Sequence, residues 1–303
     1  MSNWVDELNK MNPVAQKAGL GTRISNASAL KAPNNVWYID STNGNDGPDV
    51  TGKSWEDPFE SIVYALSRGS AWDWFYVAGG DYDEGEAVAI TLEGIKIIGP
   101  GNQNQNVAMI YSSSASHHLM TVNAHNVEIC GLGFTQTKDT YSGIMISTTA
   151  SYYKCYIHDC RFDGYGQGEY GVHGGTTYDC PDLIVENCRF HSWQTAAMYI
   201  YDTRAVIRNN LIHTVAAKIG IHLPATGANR PGSFVVGNKI LGVNSTDTGI
   251  SVAAVNAGTL FLSENIVCGC GTANIVQFAN GQYSGAENYT SDASGGALID
   301  IDS

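Results

Sequence analysis

The stretch Ile157-His158-Asp159-Cys160-Arg161-Phe162 returns one period later as Val185-Glu186-Asn187-Cys188-Arg189-Phe190. The pattern is an apolar residue, two further positions, Cys or Asn, a variable residue and a closing apolar. It recurs in Ile207–Ile212, Val235–Ile240 and Leu262–Val267, where Asn210, Asn238 and Asn265 take the Cys position, and a looser copy precedes them at Val127–Phe134. The closing positions Phe134, Phe162, Phe190, Ile212, Ile240 and Val267 lie 28, 28, 22, 28 and 27 residues apart. After each copy come a polar, Gly-rich turn and a second short run: Gly143–Ser147, Gly171–Gly174, Ala197–Tyr201, Gly220–Leu223, Gly249–Val252 and Asn274–Gln277. A propeller blade would need four strands in ~40–45 residues, and a helical repeat would show a 3.6-residue period, which is absent. The remaining reading is all-β, a parallel solenoid with coils of about 27 residues in which each strand bonds to its counterpart ~4.8 Å along the axis. Cys160, Cys188, Asn210, Asn238 and Asn265 then stack in one inward column, the amides bonding one another and the thiols serving as small buried hydrophobes.

Composition agrees with this reading. The 303 residues are 43% hydrophobic and only 15% charged, with 34 Gly, a mixture that favours a buried core and many turns over helix. The formal net charge of −13 argues against a nucleic-acid partner. No apolar run reaches the ~18 residues that would cross a bilayer, so no membrane partner is expected. The N-terminus lacks the basic and apolar regions of a signal peptide. Seven Cys with no CxxC pair and no zinc-type spacing point to neither disulfides nor a metal, and no cofactor is expected.

Ahead of the coils, Asn34–Asp40 reads as a strand and Ser41–Gly47 as a polar loop. A short helix is expected over Glu60–Ser67, with Asp57 as its N-cap and Pro58 in its first position. Strand Trp74–Val77, turn Gly79–Tyr82 and strand Ile95–Ile98 follow. A solenoid needs its open end covered, and this helix is the natural cap. The order Tyr38-Ile39-Asp40, Gly44-Asn45-Asp46, Trp55, Pro58-Phe59, Ile62, Ala65, Phe75-Tyr76-Val77, Gly80-Asp81-Tyr82 and Ile97-Ile98-Gly99 resembles the entry of right-handed parallel β-helix proteins of the pectate-lyase-like superfamily. The resemblance covers residues ~35–290. It implies a right-handed single β-helix, and it leaves function open among lyases, hydrolases, epimerases and non-catalytic virion proteins. Three segments are thereby expected: a detached leader over 1–33, a cap and first coils over 34–101, and coils with a C-terminal cap over 102–303.

Trp4, Leu8 and Met11 share one helical face of the leader, which Pro13 would end, and they are candidate attachment residues. A short leader on a β-helix without a signal peptide resembles tailed-phage virion surface proteins. That resemblance implies a head-decoration protein, spike or fibre, made in the host cytoplasm, homotrimeric and docked on capsid or tail proteins through residues 1–33.

The second strands offer an outward column of Met145, His173, Tyr199, His222 and Ser251. A His/Tyr pair at coil spacing can supply base and acid for β-elimination on a uronate, or stack on the sugars of a cell-surface polysaccharide. His173, Tyr199, His222 and Arg204 are therefore the candidate catalytic residues of the alternative function, a polysaccharide lyase or glycoside hydrolase. Against catalysis, the column has no carboxylates for calcium, and Asp159, Asp163, Asp179, Asp182 and Asp202 do not cluster across coils as a hydrolase requires. The segment Tyr201–Arg204 has no matching acidic neighbour in register. Arg161, Arg189 and Lys239, interrupted by Leu211, form a second outward column able to face a neighbouring subunit or an acidic glycan. His117-His118 has no partner at a ligand spacing.

Overall fold

The computed structural model describes residues 32–300 apart from 102–106, 114–115, 147–148, 176–179, 202–203, 216–217, 225–232, 243–245, 253–259, 271–272, 277–282, 285–287 and 292–298. Trp4, Leu8, Met11, Asp179 and Asp202 lie outside the described residues. The chain winds into a parallel β-helix of three sheets with ten, eight and ten strands among the described residues. Sheet 1 runs from Val36–Ile39 and Trp74–Val77 up to Tyr283–Ser284. Sheet 2 runs from Gly80–Asp83 to Ile299–Asp300, and sheet 3 from Val88–Ile90 to Ala273–Val276. Every pairing is parallel except the last, where Ile299–Asp300 closes antiparallel on Tyr289–Thr290.

The six-residue motif is two strands, not one. Tyr156–His158 belongs to sheet 1 and Arg161–Asp163 to sheet 2, with a corner between them. The corner is made by the residue before each Cys or Asn, which adopts a left-handed conformation: Asp159 at φ 53°, Asn187 at 53°, Asn209 at 56°, Gly237 at 67° and Glu264 at 58°. Asp, Asn and Gly tolerate that region best, which is why they recur there.

The Cys/Asn column forms as expected. Asn210 Nδ2 donates to Asn238 Oδ1 at 3.0 Å, Asn238 Nδ2 to Asn265 Oδ1 at 3.0 Å, and Asn265 Nδ2 to Asn288 Oδ1 at 2.9 Å. Each Oδ1 also accepts a backbone N–H from the adjacent coil. The last rung, Asn288, was not anticipated. Below them Cys160 and Cys188 turn their thiols to the carbonyls of His158 and Glu186, both at 3.2 Å.

Three apolar columns fill the interior: Ile129 through Leu262 on sheet 1, Phe134 through Val267 on sheet 2, and Met120 through Ile250 on sheet 3. Phe134, Phe162 and Phe190 stack at 4.9 and 4.6 Å with near-parallel rings. The 22-residue coil arises where residues 201–205, against 175–183 one coil earlier, join sheet 3 to the next sheet 1 strand and residues 192–195, against 164–169, join sheet 2 to sheet 3.

The helix covers the open end as expected, burying Ile62, Ala65 and Leu66, but it spans Ile62–Arg68. Its N-cap is Ser61, whose Oγ accepts from the Tyr64 N–H at 3.1 Å, and not Asp57. Pro58 lies too early because Phe59 is committed to a bridge with Ile39 and stacks on Trp37. The expected turn Gly79–Tyr82 is likewise replaced by strand Gly80–Asp83 at the start of sheet 2, where Tyr82 is buried against the cap loop.

Candidate functional site

On the outer face of sheet 3, register places Met145, His173, Tyr199, His222 and Ser251 side by side, as the coil spacing required. The rings make a continuous ladder. His173 meets Tyr199 edge-on at 5.0 Å, and Tyr199 stacks on His222 at 5.2 Å and 18°. Tyr170, which sequence reasoning missed, joins it at 4.5 Å from His173 and 5.0 Å from Tyr199. Its register partner is Ala196, a small residue that leaves room for the ring to lean along the column. The aromatic three residues before His173 was the available signal.

His173 is the most unusual member. It is 7% exposed, and neither ring nitrogen has a hydrogen-bond partner. Burial, and secondarily the nearby His118, push its pKa down to about 4, so the imidazole is neutral at pH 7. His118 is itself lowered by burial and by His117; its Nδ1 accepts the Ser142 N–H at 3.0 Å, and its ring meets Tyr141 edge-on. Beside Tyr170, Glu169 has its pKa raised by burial against an opposing hydrogen bond with Tyr170. No carboxylate occupies the register column itself among the described residues.

Arg204 does not belong to this face. It sits at the short corner before sheet 1 with φ 54°, and its guanidinium grips Asp182 at 2.8 and 3.2 Å. This acidic neighbour lies one coil back and in register, two residues before Ile184 as Arg204 is before Val206, which corrects the expectation that residues 201–204 have none. Arg161, Arg189, Leu211 and Lys239 do align, exposed, on the outer face of sheet 2, so they share neither sheet nor face with the rings.

Sheet 1 carries a second constellation that the sequence reading, which expected no metal, did not find. Glu128 and Cys130 alternate outward on one strand, and His158 is the register partner of Cys130 on the next. One ligand atom from each of the three lies within 4.8 Å of the others. Lys96 Nζ holds Glu128 Oε2 at 2.7 Å, and Asp159 Oδ2 bonds His158 Nδ1 at 2.7 Å. Burial alone would lower the His158 pKa, but bonds to Cys130, Glu128 and Asp159 outweigh it and raise the value to about 11. Further along, Tyr156 and Arg208 both bond Glu186. At the cap end of the same face, Trp55, Tyr76, Ile98 and Pro100 line an apolar groove of about 310 Å³.

The model of a family described as a protein of unknown function, DUF1565, matches residues 42–281. No curated protein sequence matches the chain. Among solved structures the chain is similar to the pectate lyase Pel9A (TM-score 0.50, 14% identity, 84% of this chain and 58% of that one). It is also similar to the GH136 lacto-N-biosidase from Eubacterium ramulus (0.54, 9%, 92% and 71%) and to the pectin methylesterase from Aspergillus niger (0.52, 12%, 89% and 93%). The chain thus spans less than two thirds of the pectate lyase. At these identities the likeness is one of fold, the right-handed parallel β-helix.

Proposed function

The chain belongs to the DUF1565 family, whose description assigns no activity, and from that premise we propose that it is a non-catalytic, carbohydrate-binding surface protein of a tailed-phage particle. In this reading residues 1–33 dock it on capsid or tail proteins, three copies associate, and the sheet 3 ladder meets a cell-surface polysaccharide. The observation that carries the binding role is the ladder of Tyr170, His173, Tyr199 and His222 over three adjacent coils. Tyr199 and His222, the partly exposed members, offer flat faces that suit the apolar faces of sugar rings, and the buried Tyr170 and His173 pack behind them. The column holds no pair of carboxylates for in-line hydrolysis and no acidic set for calcium among the described residues. Solved structures of this fold include enzymes named for pectate, pectin and lacto-N-biose, so its outer faces are compatible with extended glycans. The virion part rests on the leader and on the resemblance to tailed-phage surface proteins.

A second reading, turnover by a polysaccharide lyase or hydrolase, has one observation in its favour: His173 is neutral at pH 7, the form a general base needs, with both ring nitrogens unengaged.

The test is a glycan array with wild type and Tyr199→Ala, followed by incubation of each binding glycan with wild type, His173→Ala and Tyr199→Phe. Saturable binding lost in Tyr199→Ala, with no product, supports the proposal. Cleavage abolished by His173→Ala replaces it with the second reading, and absence of binding across a broad array overturns both. Light scattering on the full chain and on one beginning at Asn34 tests the trimer. Three times the monomer mass in both agrees with it, and survival without the leader assigns the leader to attachment.

A further inference from the structure

Cys130, His158 and Glu128 stand apart from the ring ladder on a different sheet, and their arrangement has the parts of a metal centre. In a parallel sheet, residues two apart on one strand share a face, and the register partner on the next strand lies beside them. Glu128 and Cys130 fill the first relation and His158 the second. All three are half-buried, and their ligating atoms fall within 4.8 Å of one another. The Nε2 of His158 and the Oε1 of Glu128 are 3.4 Å apart. Tetrahedral ligands at ~2.0–2.3 Å from a zinc ion sit roughly 3.3–3.8 Å from each other, so this pair is already spaced for one ion, with the thiol within 4.8 Å of both.

The supporting contacts leave the right atoms available. The Nδ1 of His158 is engaged by Asp159 Oδ2 at 2.7 Å, so an ion that displaces the Nε2 proton meets that nitrogen in the manner of a carboxylate–histidine–metal relay. The Oε2 of Glu128 is taken by Lys96 at 2.7 Å, leaving Oε1 on the His158 side. The ring of Tyr156 stacks on His158 at 4.1 Å and fixes its plane.

We propose that Cys130 Sγ, His158 Nε2 and Glu128 Oε1 form a binding site for a divalent transition metal of the zinc class, with Asp159 as the positioning residue for His158. A thiolate with an imidazole and one carboxylate selects zinc or cobalt over calcium or magnesium, which prefer all-oxygen sets. Three protein ligands leave a fourth position for water or an exogenous group.

The test is a titration of the full-length, reduced chain with Co²⁺ alone, read by absorption. One equivalent should bind with a sulfur-to-cobalt charge-transfer band, which Zn²⁺ then displaces. Cys130→Ser should abolish the band with unchanged circular dichroism, and His158→Gln, which keeps the thiol, should weaken Co²⁺ at least ~100-fold. Asp159→Asn should weaken it ~10–100-fold. Cys268→Ser, on the next partly buried thiol, should change nothing. No stoichiometric band, a band retained in Cys130→Ser, or wild-type affinity in His158→Gln overturns the site.

Discussion

Asn238 sits in the middle of the amide ladder, fully buried, and its side chain makes four hydrogen bonds. Its Oδ1 accepts from the Asn210 N–H at 3.1 Å and from Asn210 Nδ2 at 3.0 Å; its Nδ2 donates to the Ile207 carbonyl and to Asn265 Oδ1, each at 3.0 Å. Asn238→Ala removes all four. Two partners keep a substitute, since Asn210 Nδ2 still reaches the Val185 carbonyl at 3.0 Å and Asn265 Oδ1 still accepts the residue 238 N–H at 3.1 Å. The Asn210 N–H is left buried and unpaired, at ~1–3 kcal/mol, and the other losses are worth ~0.5–1.5 kcal/mol apiece. The expected destabilisation is about 4 kcal/mol, a large part of the ~5–15 kcal/mol that holds a domain together. Asn238→Cys should cost about half as much, because a thiol already occupies this column at Cys160 and Cys188 and can still donate to a carbonyl. The assay is guanidinium unfolding by far-ultraviolet circular dichroism, with hydrogen exchange at the Asn210 amide, since stacked coils need not unfold in one step. A cost below ~1 kcal/mol for Asn238→Ala, or unchanged protection at Asn210, would refute the claim that the ladder holds the coils together.

Phe162→Ala, in the centre of the three-ring stack, should cost ~3–5 kcal/mol in the same assay and Phe162→Leu under ~1.5, and equal effects would contradict ring packing as the cause. Asp73 is buried and accepts from Asn35 N, Asn35 Nδ2, Trp37 Nε1 and Ser70 N; Asp73→Asn turns an amide against these donors and should cost ~2–4 kcal/mol, which an unchanged midpoint would disprove. For His173 the folded pKa of about 4 lies below the unfolded ~6.5, so in that interval the unfolded chain binds more protons and stability falls as pH falls. Its share reaches roughly 3 kcal/mol by pH 4, and His118, also lowered by burial, adds in the same direction. His173→Gln should flatten the slope between pH 6.5 and 4, and an imidazole resonance from His173 that titrates near 6.5 would show the burial argument to be wrong.

The parts of the fold that were legible in the chain are those in which one coil constrains the next. A stacked position sees the same neighbours in every coil, so Phe134, Phe162 and Phe190, or Asn210, Asn238 and Asn265, repeat in the sequence because they touch in space. What escaped depends on contacts that periodicity does not encode. The corner between sheets 1 and 2 is a backbone event at Asp159, Asn187 and Asn209, and it splits a motif that reads as a single strand. Ser61 caps the helix because Phe59 is held in place by Ile39, a tertiary demand. Arg204 and Asp182 stand opposite each other, two residues ahead of the register pair Ile184 and Val206, but their 22-residue offset departs from the 27–28 of the other coils. His158 was legible in principle, since it lies 28 residues after Cys130 and one coil is 28 residues there. It went unread because inside the repeat motif it looks like a filler position.

The outer faces of the three sheets therefore differ in kind: rings on sheet 3, cations on sheet 2, and a clustered thiol, imidazole and carboxylate on sheet 1. Binding of glycan to the first of these is the central claim. It is tested most directly by following the histidine ring resonances while titrating an array-selected oligosaccharide into the protein. The account predicts saturable shifts of His173 and His222 with His158 and His191 unmoved, and no new reducing ends. Shifts confined to His158 or His191, or accumulation of cleaved oligosaccharide, would contradict it.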